Sequence, residues 1–90
     1  MVKTVECKIK GKVQGVFFRR FCQIEAKRLG LVGSAKNVDD GSLIVLARGE
    51  ENDLLAFINK LKIGPTGAIV RDININWTDT IVDSDNFIIQ

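Results

Sequence analysis

Alternating hydrophobic and polar positions predict a strand near the start of the chain. Val5, Cys7 and Ile9 alternate with polar residues, as in a strand with one buried face. The alternation stops in a glycine-containing segment, and apolar residues then recur at helical spacing. These apolar residues are Phe18, Cys22, Ala26 and Leu29. We expect a first helix here, ending at Gly30.

The middle of the chain predicts two strands and a second helix. Residues 31–38 are expected to form a strand, and Asp40-Gly41 is a strong signal for a two-residue hairpin. The apolar run 43–47 predicts a strand that is covered on both faces or central in its sheet. A helical stripe follows, ended by Gly64-Pro65. Its apolar residues are Leu54, Leu55, Ile58 and Leu61.

Strand alternation returns from Ile69 onward, with Trp77 expected in the core and a short segment at Phe87 and Ile89 expected at a sheet edge. The element order forms two consecutive βαβ units, so we predict an α+β, ferredoxin-like split βαβ sandwich. Two helices are expected on one face of a four-stranded antiparallel sheet, with room for a short fifth edge strand. Residues 1–90 are expected to form a single domain.

Composition excludes several kinds of catalysis. The 90 residues contain no His, which rules out Ser-His-Asp and Cys-His catalysis and His-ligated zinc. Catalysis must therefore use fixed charges, dipoles or carboxylates. Cys7 and Cys22 are interpreted as buried free thiols of a cytoplasmic protein, with a single bridge as the alternative. We expect no signal peptide, because the first residues lead directly into the alternating pattern.

Charge is unevenly distributed along the chain. Residues 1–36 carry nine basic and two acidic residues, whereas residues 37–90 carry four basic and nine acidic ones. The basic part favours an anionic ligand, either a phosphate or a nucleic acid. A solvated polar face explains the same charges, and charge alone does not decide between these interpretations.

The segment that joins the first strand to the first helix is a candidate anion site. Gly15 permits unusual backbone torsions, and the segment leads into a helix N-terminus with unpaired N–H groups. Arg19 adds a planar guanidinium that can hold two phosphate oxygens. The segment is not a Walker loop. From these residues alone, a plain strand-to-helix connection with surface arginines remains open.

The segment from Val13 to Arg19 resembles the V-Q-G-V-x-F-R motif of acylphosphatases. Further motifs similar to those of the family follow in order along nearly the whole chain. They are Ala26 with Gly30-Leu31, Gly33 with Asn37, Asp40-Gly41, and Gly64-Pro65 with Ala68 and Val70. Ser34 departs from the family pattern, which usually has Trp or Tyr there. The family fold is the ferredoxin-like sandwich, in agreement with the element order.

The resemblance implies hydrolysis of the carboxyl–phosphate bond of acyl phosphates to a carboxylate and inorganic phosphate. It implies that the phosphate binds Gln14, Gly15, Val16, Phe17, Phe18 and Arg19. It also implies that Asn37 orients the attacking water, so Arg19 and Asn37 are the expected catalytic residues. In a split βαβ unit the first two strands end at the same sheet edge, about 10 Å apart, which brings both residues within reach of one phosphate.

The expected partners are a small-molecule acyl phosphate and inorganic phosphate, as product and competitor. We expect a monomer with no cofactor, no metal, no nucleic acid and no membrane, and a free-standing enzyme of 90 residues. Arg20 is interpreted as a solvated surface residue, and Asp39-Asp40 as turn residues. An inactive anion-binding domain remains an alternative. An RNA-binding module of the same architecture is a weaker one, because the central strand lacks stacking aromatics.

Overall fold

The computed structural model describes residues 1–80 and 82–90, which form two helices and five strands. The elements are β1 Val2–Lys12, α1 Phe18–Arg28, β2 Val32–Asn37, β3 Leu43–Glu50, α2 Glu51–Ile63, β4 Ile69–Thr78 and β5 Phe87–Ile89. The predicted element order is confirmed. Within these residues, neither helix is long and apolar enough to span a membrane.

The strands form one sheet in the order β4-β1-β3-β2-β5. β1 pairs antiparallel with β3 and β4, and β2 pairs antiparallel with β3, as a split βαβ fold requires. The fifth strand is present, but it pairs parallel to β2, so the sheet is mixed rather than wholly antiparallel. Because β1 and β2 are both antiparallel to β3, they run parallel to each other, and their C-terminal ends lie at the same end of the sheet.

The hydrophobic core lies between one face of the sheet and the helices. Cys7 lies opposite Val45 and Ile9 lies opposite Leu43, and all four side chains are buried. The intervening Ile44 is only half-buried because its side chain points to the other face. The apolar run in β3 is therefore central in the sheet, one of the two predicted positions, with a single buried face.

The stripe predicted on α1 is confirmed, because Phe18, Cys22 and Ala26 are buried and Leu29 packs against the core just beyond the helix. Phe18 also meets Phe21 edge to face, with ring centroids 5.8 Å apart. These contacts fix the first turn of α1 on the sheet, directly after the glycine-containing segment.

The stripe predicted on α2 is partly wrong. The buried residues are Leu54, Phe57, Ile58 and Leu61, at helical spacing i, i+3, i+4 and i+7. Leu55 is 44% exposed, because it lies about 100° around the helix from Leu54. Phe57 takes its place and meets Phe87 of β5 edge to face, with 6.0 Å between ring centroids. This contact depends on a strand that is distant in sequence.

Trp77 is not a core residue, contrary to the prediction. It lies opposite Val5 and so on the helix side of the sheet, yet it is 42% exposed. β4 is an edge strand, and Ile75 on the same face is similarly exposed, so the helices leave this edge uncovered. The Lys3 ammonium lies 5.7 Å from the Trp77 ring centroid, at cation–π distance.

The connection between β2 and β3 spans residues 38–42 and is longer than the predicted two-residue hairpin. The Gly41 N–H donates to the Val38 carbonyl (3.0 Å), and the Val38 N–H donates to the Ser42 carbonyl (2.9 Å). Asp40 closes the turn by accepting hydrogen bonds from the hydroxyl and backbone N–H of Ser42. The predicted turn role of Asp40 is confirmed.

Candidate functional site

The loop between β1 and α1 contains two residues with left-handed backbone torsions. Gly15 has φ 74°, which glycine adopts without steric cost. Phe17 has φ 61° and ψ 28°, which is uncommon for a bulky side chain. Residues with left-handed torsions next to residues with right-handed torsions are typical of concave runs of backbone N–H groups, which bind anions. The loop geometry therefore fits the predicted phosphate cradle.

The N-terminus of α1 offers unpaired N–H groups to this loop. Phe17 occupies the N-cap position and makes no side-chain capping bond, and the first turn contains no acidic residue. The first intrahelical bond runs from the Phe21 N–H to the Phe17 carbonyl (3.0 Å). The N–H groups of Phe18, Arg19 and Arg20 precede it, where an α-helix provides no acceptor. The positive end of the helix dipole therefore favours an anion here.

The side chain of Gln14 anchors the loop to the β2–β3 connection. Its amide donates to the carbonyls of Val38 (2.8 Å) and Ser42 (3.0 Å). These bonds hold the loop beside the end of β2, where Asn37 is located. Because both amide hydrogens are used, Gln14 can meet a phosphate only through its backbone N–H.

A cavity of about 370 Å³ lies at the shared end of β1 and β2. It is lined by Val13, Gly15, Phe17, Phe18, Arg19, Arg20, Asn37 and Ile89. The cavity thus unites Arg19 and Asn37 with three further residues of the predicted loop. The remaining two predicted residues, Gln14 and Val16, lie outside its lining.

Arg19 is held by Gln90, the residue that follows β5. Its Nη1 donates a hydrogen bond of 2.7 Å to the backbone oxygen of Gln90. The Gln90 N–H in turn donates to the Ala35 carbonyl of β2 (2.9 Å), which continues the parallel pairing of β5. The guanidinium retains donors on Nε and Nη2 for a ligand. No local pattern in the sequence predicts this contact, since 71 positions separate the two residues.

Arg20 was predicted to be a solvated surface residue, and it also lines the cavity. It is exposed, and its Nη1 donates to Gln23 Oε1 (2.6 Å) on the next turn of α1. Arg19 and Arg20 therefore give the cavity two positive charges, but only Arg19 is tied to the β5 end.

The two cysteines are buried free thiols, as predicted. Burial raises the pKa of Cys7 and of Cys22 to about 12, so both are protonated at neutral pH. A protonated, inaccessible thiol is a poor nucleophile. Cys22 is therefore a core residue on the buried face of α1.

Comparisons with known proteins identify the family of the chain. The family model "Acylphosphatase" matches residues 5–89. The chain is 43% identical over 83 residues to an acylphosphatase of Dehalococcoides mccartyi, covering 91% of each chain. It superposes on the crystal structure of acylphosphatase from Bacillus subtilis with TM-score 0.93 and 37% identity, covering 100% of this chain and 99% of that one.

A second solved structure, an acylphosphatase from Coxiella burnetii, superposes with TM-score 0.92 and 30% identity. The alignment covers 99% of this chain and 93% of that one. Sequence and structure thus agree over nearly the full length, and the chain belongs to the acylphosphatase family of hydrolases.

Proposed function

We propose that this enzyme hydrolyses the carboxyl–phosphate bond of acyl phosphates in the cavity between the β1–α1 loop and Asn37. The observation that carries the proposal is that Arg19 and Asn37 line one cavity at the start of α1. In this proposal, residues 14–19 and the Arg19 guanidinium bind the phosphate, and the Asn37 amide positions the attacking water.

Binding of the phosphate relies on charge and on backbone N–H groups. The helix N-terminus and the Arg19 guanidinium supply donors to the non-bridging phosphate oxygens. In a loose phosphoryl transition state, charge resides largely on these oxygens, so the same contacts stabilise it. The backbone oxygen of Gln90 supports this role, because it orients the guanidinium before the substrate arrives.

The chemical step requires one oriented water. Its oxygen forms a bond to phosphorus while the bond from phosphorus to the acyl oxygen breaks, and the acyl group leaves as a carboxylate. A phosphate oxygen accepts the water's proton. Because a carboxylate is a good leaving group, the step needs no general acid, which agrees with the absence of His from the sequence.

The proposal extends to the surroundings of the reaction. The enzyme acts as a monomer in the cytoplasm, with residues 1–90 folded as a single domain, and without nucleic acid or membrane partners. It uses no cofactor or metal. The proposal is supported by Arg19, Arg20 and the N-terminus of α1, which supply positive charge to the cavity. Inorganic phosphate is both a product and a competitive inhibitor.

Asn37→Ala tests the role of the water-positioning residue. With benzoyl phosphate as substrate, we expect a chelator to leave the turnover rate of wild type unchanged and inorganic phosphate to inhibit competitively. Asn37→Ala lowers kcat about 100-fold, because the water loses its hydrogen-bonding partner. The inhibition constant for phosphate changes less than about threefold, since the cradle is intact.

Asn74→Ala, an exposed asparagine on β4 outside the cavity, is the matched control and keeps wild-type kinetics. A collapse of phosphate affinity in Asn37→Ala makes Asn37 a phosphate ligand and contradicts its proposed role. Loss of wild-type turnover on adding the chelator contradicts the metal-free mechanism.

A further inference from the structure

Phe17 is an exposed aromatic residue in the loop that lines the cavity. It is 84% exposed, although it is a large apolar side chain. It also has φ 61°, a backbone conformation that bulky residues rarely adopt. The core does not require this arrangement, because Phe18 is the residue whose ring is buried beneath the loop. An exposed aromatic residue with an unfavourable backbone conformation, in the lining of a cavity, points to contact with a ligand.

Ile89 brings a second apolar side chain to the same cavity. It is 40% exposed and belongs to β5, which pairs parallel with β2 and places Ile89 beside Ala35. Since the two strands run in the same direction, Ile89 lies at the end of the sheet where Asn37 is located. The neighbouring Ile88 is equally exposed, at 41%, but it does not line this cavity.

The cavity lining therefore has two chemical parts. Arg19, Arg20 and Asn37 are polar or charged, whereas Phe17 and Ile89 are apolar and accessible. An acyl phosphate has the same division, with a charged phosphate at one end and an acyl group at the other. The volume of about 370 Å³ lies in the range of small-molecule sites and can hold both ends.

We propose that Phe17 and Ile89 form an acyl-binding wall that makes the enzyme selective for acyl phosphates with aromatic or other apolar acyl groups. This inference rests on the proposed function, which puts the phosphate against the loop and Arg19. With the phosphate in that position, the acyl group extends toward Phe17 and Ile89. An apolar acyl group removes apolar surface from water there, and an aryl group also stacks on the Phe17 ring.

The test compares benzoyl phosphate with acetyl phosphate, which share the reacting bond and differ in the acyl group. The measured quantity is the ratio of kcat/KM for benzoyl to that for acetyl phosphate, relative to the same ratio in wild type. This normalisation cancels the difference in intrinsic reactivity between the substrates. Phe17→Asn is used because asparagine tolerates the left-handed conformation.

We expect Phe17→Asn and Ile89→Ser each to lower the normalised ratio about 3- to 10-fold, as for loss of an apolar contact in an open site. Ile88→Ser, the matched control on the other face of β5, leaves the ratio unchanged. The inhibition constant for inorganic phosphate, which has no acyl group, moves less than the ratio does.

An unchanged ratio in both Phe17→Asn and Ile89→Ser overturns the acyl-binding wall, while wild-type turnover still supports acyl phosphate hydrolysis. A phosphate inhibition constant that weakens as much as the ratio falls assigns these side chains to the phosphate cradle, and also overturns the wall. Wild type that hydrolyses neither substrate contradicts the proposed function itself.

Discussion

At the scale of single residues, the candidate site depends on side chains that are held by hydrogen bonds. Both side-chain amide hydrogens of Gln14 anchor the loop to residues 38 and 42. Arg19 is oriented by the backbone oxygen of Gln90. Asp40 closes the adjoining turn through Ser42. The functional groups therefore belong to a network that joins the β1–α1 loop to the β2–β3 connection.

Asp40 gives this network a pH dependence. Its hydrogen bonds from Ser42, and then its ion pair with Lys8 (3.1 Å), hold the pKa of the Asp40 carboxyl below its usual value near 3.8. A carboxyl with a lowered folded-state pKa stabilises the fold above its unfolded pKa and loses this effect as the pH falls.

We expect Asp40→Ala to lower the free energy of unfolding at pH 7, and the difference from wild type to shrink as the pH falls below about 4. Urea unfolding at several pH values measures it. Asp39→Ala is the matched control, since that side chain forms no hydrogen bond or ion pair with any described residue, and it leaves stability nearly unchanged. A difference for Asp40→Ala that grows toward low pH contradicts this assignment.

At the scale of elements, β5 connects the core to the site. Phe87 is buried and packs edge to face on Phe57 of α2. Two residues later, Ile89 lines the cavity, and Gln90 binds Arg19. The three residues of β5 thus connect the packing of the core to the position of the Arg19 guanidinium.

Phe87→Ala is expected to lower the free energy of unfolding by about 3–5 kcal/mol, because it removes a buried ring and leaves a cavity. The kcat/KM for benzoyl phosphate falls with it, since β5 then holds Ile89 and Arg19 less firmly. Phe87→Leu retains most of the volume and costs about 1 kcal/mol, so that its activity can be measured on folded protein.

Urea unfolding and steady-state kinetics of both Phe87 variants provide these values. Ile88→Ala, which truncates an exposed neighbour on the same strand, changes stability by less than about 0.5 kcal/mol. Full kcat/KM in folded Phe87→Ala, in spite of its lowered stability, shows that β5 does not support the site.

At the scale of the whole molecule, the sequence predicted the fold because its hydrophobic periods change cleanly between strand and helix. It predicted Arg19 and Asn37 through motifs that lie close to two strand ends. The sequence did not identify Ile89 and Gln90 as residues of the candidate site. They approach it because β5 pairs parallel with β2, and no local sequence pattern predicts that pairing. Trp77 was placed wrongly because alternation identifies a face but not whether helices cover it.

In the whole molecule, part of the excess basic charge of residues 1–36 lies at the candidate site. Arg19 and Arg20, from the basic first part of the chain, line the cavity together with the N-terminus of α1. This combination favours a phosphate without any titrating side chain of the His type. We therefore propose that catalysis relies on fixed charge and that Arg19 is its main source.

The most direct test is the kcat/KM for benzoyl phosphate in Arg19→Ala compared with Arg20→Ala. Both variants remove one arginine from the cavity lining and from the same turn of α1. We predict a loss of at least about 1,000-fold for Arg19→Ala, with cooperative unfolding preserved, and less than about 10-fold for Arg20→Ala. Retention of most activity in Arg19→Ala, or equal losses in the two variants, contradicts catalysis by the charge of Arg19.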